Sequence, residues 1–341
     1  MKNNQQTVSA QELLTSKGGH SNTPPLNTRG IEKPLLNQVV IDWFEFTMPS
    51  NFLFNNRYKS LKNYLGYEGA SFVSAPRGLS GYSKQIHFGK TKILYGGTEE
   101  MGVHVILSGD AIRDMTKCIL NFIHWVLHHE GKVTRIDIAL DDVTGNLKIN
   151  KIKKHIKEGA LTCRSRGYRY MRSGDLKGNV TGETVYFGSA QSRTQYRIYD
   201  KAQETGLNNG HWVRCEGQYR HENAHSVAEM VHASKFDLGM VFTGLLRGYL
   251  RFLEPSEKKN KSRWAVVSWW ETLLTNTNAL KLSVQKAVPS MERARTWFSK
   301  QVAPTFAMLL NYYGSDDMKE MYELGFERLT GEQKQMCIIP F

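Results

Sequence analysis

Three short segments of this 341-residue chain place chemically competent side chains where a purely structural strand carries apolar ones. Side chains alternate between the two faces of a β-strand. In Val133-Thr134-Arg135-Ile136-Asp137-Ile138-Ala139-Leu140-Asp141-Asp142, Ile136, Ile138 and Leu140 share one face, and Arg135, Asp137, Ala139 and Asp141 the other. Two carboxylates four residues apart, with a small alanine between, leave room for a hard divalent cation. In Thr194-Gln195-Tyr196-Arg197-Ile198-Tyr199-Asp200-Lys201, Gln195, Arg197, Tyr199 and Lys201 line up, while Tyr196 and Ile198 point the other way. A tyrosine flanked by two cations sits in a positive field that favours phenolate and attracts a phosphodiester. In Trp212-Val213-Arg214-Cys215-Glu216-Gly217-Gln218-Tyr219-Arg220, Arg214, Glu216, Gln218 and Arg220 fall together, with Val213, Cys215 and Tyr219 on the core side. Each face alone reads equally well as a solvated one. Three together, carrying acids, a tyrosine and arginines, predict an active-site floor laid on a sheet.

Charge points to the substrate class. Lys plus Arg number 45 against 32 Asp plus Glu, a net charge of +13. That excess predicts affinity for a polyanion, with nucleic acid ahead of an anionic membrane surface. Between residues 143 and 203 there are thirteen cations against four acids, so much of the excess lies close in sequence to Tyr199. Arg164, Arg166, Tyr168, Arg169, Tyr170 and Arg172 interleave cations with aromatics, as expected where phosphates and unstacked bases are gripped together. A solvated basic loop is the plainer reading of that stretch.

The elements that must position these residues follow from periodicity. Strands are predicted over 39–47, 82–88, 92–95, 103–108, 132–140, 184–188, 195–200 and 212–220. Helices are predicted over 111–129 and 150–158, with an irregular basic stretch after the second and a mostly helical pattern from residue 222 onward. The class is α+β: an antiparallel-rich central sheet carrying the active site, flanking helices and a helical C-terminal region. Residues 1–36 are polar and Pro/Gly-containing and read as a disordered tail. A sheet-bearing domain is expected over 37–260 and the C-terminal region over 261–341.

Several chemistries are excluded. Gly89-Lys90-Thr91 resembles the end of a phosphate-binding loop, but Lys84 stands where its first glycine must be. No G-x-G-x-x-G occurs, and His124 and His128, four apart on a helix, lack an H-E-x-x-H context. Cys118, Cys163, Cys215 and Cys337 are scattered without a C-x-x-C pair, which fits a cytoplasmic protein without a disulfide framework. No apolar run approaches the ~20 residues needed to span a bilayer.

From about Val39 to Trp270 the chain resembles the Rep_trans family of rolling-circle replication initiators, which includes plasmid and phage initiators and relaxases of some integrative elements. Ile41-Asp42-Trp43, Ser108-Gly109, Arg135 to Asp141, Tyr196-Arg197-Ile198-Tyr199-Asp200-Lys201 and Arg214 to Arg220 carry the likeness through their order and spacing. The resemblance implies a sheet-based nicking domain, often dimeric, with its tyrosine nucleophile at Tyr199. It implies Mg²⁺ or Mn²⁺ held by acids in place of a histidine pair. Asp137 and Glu216 match best, Asp141 and Glu204 less well. The expected activity is that of a DNA strand transferase, nicking and religating one origin strand through a covalent 5′-phosphotyrosine. Arg197 and Lys201 would bind the phosphate and lower the tyrosine pKa. Arg164, Arg166, Arg169, Arg172, Arg193, Arg214 and Arg220 would contact single-stranded or cruciform origin DNA. A host helicase and polymerase would act on the freed 3′ end. Alternative readings are a non-enzymatic DNA-binding regulator, an RNA-binding protein and a conjugative relaxase.

Overall fold

Alternating apolar residues build the core of one large sheet. In the computed structural model, which describes residues 33–274 apart from 55, 66–72, 116, 207–209 and 236, together with 291, 294–295, 298–329 and 334, ten strands form this sheet. They are β1 (Gln38–Met48), β2 (Val73–Ser74), β3 (Lys84–Phe88), β4 (Thr91–Tyr95), β5 (Val103–Ser108), β6 (Lys132–Asp142), β8 (Tyr168–Gly174), β9 (Val180–Phe187), β10 (Thr194–Asp200) and β11 (Val213–Arg220). Their order is β2-β3-β4-β5-β1-β6-β11-β10-β9-β8. Every neighbouring pair is antiparallel. β7 (Leu161–Cys163) and β12 (Leu250–Phe252) form a separate two-stranded ribbon. The α+β class and the antiparallel central sheet are as the periodicity predicts. The Gly89-Lys90-Thr91 segment is a hairpin turn between β3 and β4, with Gly89 at φ +55°.

Two β-bulges set which residues face which way. Ile41 pairs with Ile138 and Trp43 with Asp137, so Asp42 is an extra residue on β1; likewise Thr134 is extra on β6. A bulge breaks strict alternation. Ile41 and Phe44 are therefore both buried in the core, and Asp42 and Trp43 are both left for the other side. Phe44, Phe46, Ile136, Ile138, Leu140, Val185, Phe187, Tyr196, Ile198, Cys215 and Tyr219 line the apolar face. Against it pack helices α3 (Ile119–His128), α4 (Ile149–Lys157), α6 (Glu222–Ala233), α7 (Leu238–Tyr249) and α8 (Ser268–Leu273), through residues such as Phe122, Ile152, Val227, Phe242 and Trp270. Three further helices complete this region: α1 (Asn56–Leu65), α2 (Gly109–Arg113) and α5 (Lys201–Thr205).

Some expectations are corrected. The helix predicted over 111–129 is two helices, α2 and α3, since Cys118 adopts an extended conformation between them. The basic stretch read as irregular forms β7, β8 and the first half of β9, whose second half is the strand expected over 184–188. The chain forms two compact units, 1–284 and 285–341, and Val267, Trp270, Leu273 and Leu274 belong to the core of the first. In the second unit, α9 (Ala303–Glu327) is broken at Gly314, whose φ is +83°. The disorder expected of residues 1–36 falls almost wholly outside the described residues. No helix among the described residues is long and apolar enough to cross a membrane.

Gly217 shows how tightly the core fits beneath the polar strand face. A Cβ there would lie 2.8 Å from Tyr196 Cε1, 2.9 Å from Tyr219 Oη and 3.0 Å from Phe242 Cε2. Tyr196 and Tyr219 meet edge to face, with hydroxyls 2.5 Å apart. Gly217→Ala should lower unfolding free energy by about 1–3 kcal/mol through overpacking. Urea unfolding measures it, and an unchanged midpoint would contradict this packing.

Candidate active site

The polar face of the sheet is built from cross-strand pairs. β10 and β11 place Arg197 opposite Glu216, Tyr199 opposite Arg214 and Gln195 opposite Gln218. β11 and β6 place Arg214 opposite Asp141, Gln218 opposite Asp137 and Arg220 opposite Arg135. Most of these groups are buried: Asp137, Asp141, Arg214, Glu216 and Tyr199 are each at most 3% exposed. Buried charge is tolerated only when paired and hydrogen-bonded, and here each acid has its arginine.

Asp141 accepts two hydrogen bonds from Arg214, at 2.7 and 2.9 Å, one from Trp212 Nε1 at 2.7 Å and one from Gln38 Nε2 at 3.2 Å. Arg214 Nη1 also lies 3.1 Å from Asp42 Oδ2. Asp137 accepts two bonds from Arg135, at 3.0 and 2.6 Å, and one from Gln218. Glu216 lies 2.8 Å from Arg197 Nη2 and accepts the Tyr199 hydroxyl at 3.3 Å. The Arg197 guanidinium is 5.1 Å from the Tyr199 ring centre and Lys201 Nζ is 5.6 Å away.

Lys201 reaches the tyrosine by a different route from the one its spacing predicts. The strand ends at Asp200, whose side chain caps α5 by accepting from Gln203 N at 2.9 Å. Lys201 is the first residue of that helix and pairs with Glu204.

The electrostatics correct the expectation of a lowered tyrosine pKa. Burial raises the Tyr199 phenol well above 10, the Glu216 charge adds to this, and Arg214 and Arg197 only partly oppose it. Burial also raises the Glu216 carboxyl above its ordinary value, with Asp137 and Asp42 adding to the shift despite Arg197. Asp42 goes the other way. Burial would raise it, but Arg214, Lys201, Arg113 and Arg197 together hold it low.

The metal candidates divide. Asp141 is saturated by four donors and has no free lone pair for a cation. Asp137 and Glu216 stand on neighbouring strands, and burial, then the Asp137 charge, raise the Glu216 carboxyl despite Arg197. Two carboxylates plus phosphate oxygens are a usual Mg²⁺ holding, so this pair fits such an ion. Among the described residues no three His, Cys, Asp or Glu side chains gather into a closed metal site. The exposed His124 stacks on His128 and His232.

The arginines expected to meet DNA also divide. Arg169 lies over the Tyr186 ring at 4.5 Å. Arg220 bonds Gln218 and the Ser192 carbonyl, and Arg193 is an exposed partner of Glu222. Arg164 and Arg166 lie between β7 and β8, while Arg172 points to the side of β8 opposite Arg169. Arg214 is buried between two carboxylates and is not an exposed phosphate contact.

Asp42 is the site residue that strand alternation missed. Its signal is a charge inside an apolar strand, with core residues Ile41 and Phe44 three apart. Gly109 makes room for it, since a Cβ there would sit 2.5 Å from Asp42 Oδ1.

Comparison with known proteins gives the family and the fold. A replication initiation factor family model matches residues 131–324. A model of the rolling-circle replication initiation protein N-terminal domain matches residues 38–126. The chain is 25% identical over 278 residues to the protein named as the DNA relaxase NicK of Bacillus subtilis strain 168, covering 76% of this chain and 78% of that one. It is also similar to the structure of a rolling-circle replication initiator protein from Geobacillus stearothermophilus. There the TM-score is 0.64 and the identity 28%, over 73% of this chain and all of that one.

Asp141→Ala leaves the buried Arg214 with Asp42 as its one remaining carboxylate and Trp212 Nε1 without its acceptor, and should cost about 3 kcal/mol of stability. Denaturant unfolding tests this, and a loss below ~1 kcal/mol would mean that the pair behaves as a solvated one.

Proposed function

The chain belongs to the replication initiation factor family, and on that footing we propose that it cuts and rejoins one strand of its origin DNA through Tyr199. The observation that carries the reading is the Tyr199 hydroxyl donating to buried Glu216, with Arg197 and Lys201 beside the ring. A non-enzymatic binding module has no use for a buried tyrosine–glutamate pair flanked by cations.

Tyr199 rests as the phenol, so its proton must leave as it attacks. Glu216 Oε2 is placed to take it, and a carboxyl raised by burial is a stronger base than a solvated one. The Tyr199 Oη–phosphorus bond forms as the bond from phosphorus to the 3′ oxygen breaks. The 5′ phosphate is left on the tyrosine, and the departing 3′ oxygen takes a proton from solvent. Arg197 and Lys201 face the non-bridging oxygens and stabilise the charge that builds there. Asp137 and Glu216 would hold a Mg²⁺ or Mn²⁺, which supplies further positive charge at the phosphate. Attack by a 3′-hydroxyl on the phosphotyrosine reverses the step and religates the strand without a nucleoside triphosphate. The freed 3′ end is a primer for a host polymerase, with a host helicase opening the duplex. Because Tyr199 is buried, productive binding requires the side chains around it to part. The likeness to NicK favours a second setting for the same chemistry, a relaxase acting at the transfer origin of a mobile element.

Tyr199→Phe removes only the attacking oxygen and should abolish the covalent adduct while leaving DNA affinity intact. Tyr196→Phe, altered in the core, should still form it. Denaturing gels with an end-labelled origin oligonucleotide and peptide mapping decide, and an adduct on Tyr196 would overturn the assignment.

Glu216 must be ionised to take the proton, so single-turnover cleavage should rise with pH through a midpoint above the ordinary 4.5. Glu216→Gln should abolish that limb and Asp137→Asn should retain it, with binding equal or tighter in both. An unaltered limb in Glu216→Gln would remove the glutamate from the proton path.

A further inference from the structure

Not all the cations near Tyr199 in sequence are near it in space. Of the thirteen between residues 143 and 203, Lys148, Lys151, Lys153, Lys154 and Lys157 belong to α4 or its N-cap. That helix buries Ile149 and Ile152 in the core shared with Val185, Phe187 and Ile198, on the apolar side of the sheet. Tyr199 is on the other side. These lysines therefore serve no phosphate at the tyrosine.

A second basic segment meets α4 there. After β12 the chain runs through Lys258, Lys259, Lys261 and Arg263. Lys261 Nζ donates to the Gly159 carbonyl at 2.6 Å, just past the end of α4. The Leu253 amide donates to the Ala160 carbonyl at 2.9 Å. Lys151 Nζ lies 5.6 Å from the Trp269 ring centre. Within the segment, Trp264 Nε1 donates to the Lys258 carbonyl at 2.6 Å and Asn260 caps the turn by accepting from Ser262 N at 2.9 Å. The loop is thus tied to the helix and braced internally.

The combined surface carries Lys148, Lys151, Lys154, Lys157, Lys258, Lys259, Lys261 and Arg263, against Glu158, Glu254 and Glu257. Lys154 makes one long ion pair, 3.9 Å to Glu158. Lys148, Lys157, Lys258, Lys259 and Arg263 have no carboxylate partner among the described residues. Around Tyr199, Arg197, Lys201 and Arg214 each have an acid partner; here most cations have none. An ordered run of unpaired cations on a helix and an adjoining rigid loop matches a regular array of phosphates better than a flexible strand.

We propose that the surface formed by α4 and the 257–263 loop is a docking site for double-stranded DNA, separate from the polar face that carries Tyr199. It binds duplex through the phosphate backbone and tethers the protein beside the strand it cuts. The proposal rests on the nicking reading only for that last clause, since duplex binding is measured without cleavage.

The test uses the full chain with Lys154, Lys157, Lys258 and Lys259 all changed to alanine, and a second form with the same four changed to arginine. Anisotropy with a labelled blunt duplex is recorded across a salt series. Cleavage of a single-stranded origin oligonucleotide is followed in parallel, and circular dichroism checks the fold. The alanine form should lose about tenfold or more in duplex affinity at low salt. Its slope of log K against log [salt] should shrink by up to about 3.6, near 0.9 for each phosphate no longer neutralised. Single-strand cleavage should stay within about twofold, and the arginine form should bind duplex as the native chain does. Unchanged duplex affinity and slope in a folded alanine form would overturn the proposal. So would a parallel loss of single-strand cleavage, which would put these lysines on the cutting path. If the native chain cleaves nothing, the Tyr199 reading fails while the duplex result still decides this one.

Discussion

The pairing of Arg214 with Asp141 constrains everything else on the polar face. Both are buried, and removing two ions from water costs several kcal/mol each unless their geometry restores the loss. Here it does, because Arg214 and Asp141 stand directly opposite each other on β11 and β6. A slip of one residue would set Arg214 against Leu140 and turn every side chain of the strand to the wrong face. The ion pair therefore fixes the register. With that register fixed, Arg197 falls opposite Glu216 on the next strand pair and Tyr199 falls opposite Arg214. The Tyr199 hydroxyl is placed by backbone ladders rather than by loops, which is the arrangement that preorganised chemistry requires.

The same strands serve two incompatible environments, and small residues make that possible. Beneath Glu216 and Gln218, Gly217 lets Tyr196, Tyr219 and Phe242 close the core without a void or a clash. At the far edge of the site, Gly109 admits the Asp42 carboxylate that supplies the second acid beside Arg214. Neither glycine needs a positive φ; each is set by the absence of space. Their places in the Glu216-Gly217-Gln218 and Ser108-Gly109 segments follow from packing alone.

Much of this was legible in the sequence because period-two alternation is a local property. Asp137, Arg197, Tyr199, Arg214 and Glu216 could be assigned to one face from their spacing, and the structure brings them together. Bulges were not legible: the extra residues at Asp42 and Thr134 arise only when two strands are aligned, so Asp42 looked merely out of place. The β8 strand was hidden by its composition, since arginine and tyrosine at alternating positions read as a basic loop until they have a partner strand. The sign of the Tyr199 shift was inaccessible for a different reason. Sequence shows that cations flank the tyrosine, but not that it is buried, nor that Glu216 lies 3.3 Å from its hydroxyl. Burial is the larger effect, and it reverses the expectation.

Near-neutrality at the centre has a consequence for how DNA arrives. Around Tyr199, Arg135, Arg197, Lys201 and Arg214 face Asp42, Asp137, Asp141, Glu204 and Glu216, so the site offers a polyanion no net attraction at a distance. Attraction at range comes from summed charge, which here is +13 and lies largely outside that centre. Capture and chemistry are therefore separate physical problems in this protein. Surface cations draw DNA in through a salt-sensitive field, whereas the buried pairs act only over a few ångströms and are little screened. In the proposed reaction a phosphate entering the site takes the place of Glu216 beside Arg197, exchanging one anion for another at nearly constant charge, while the Arg214–Asp141 pair stays intact. That exchange favours a phosphate that can meet the guanidinium in a planar, bidentate way, and it lets a buried, balanced site accept a charged substrate without first creating an uncompensated ion.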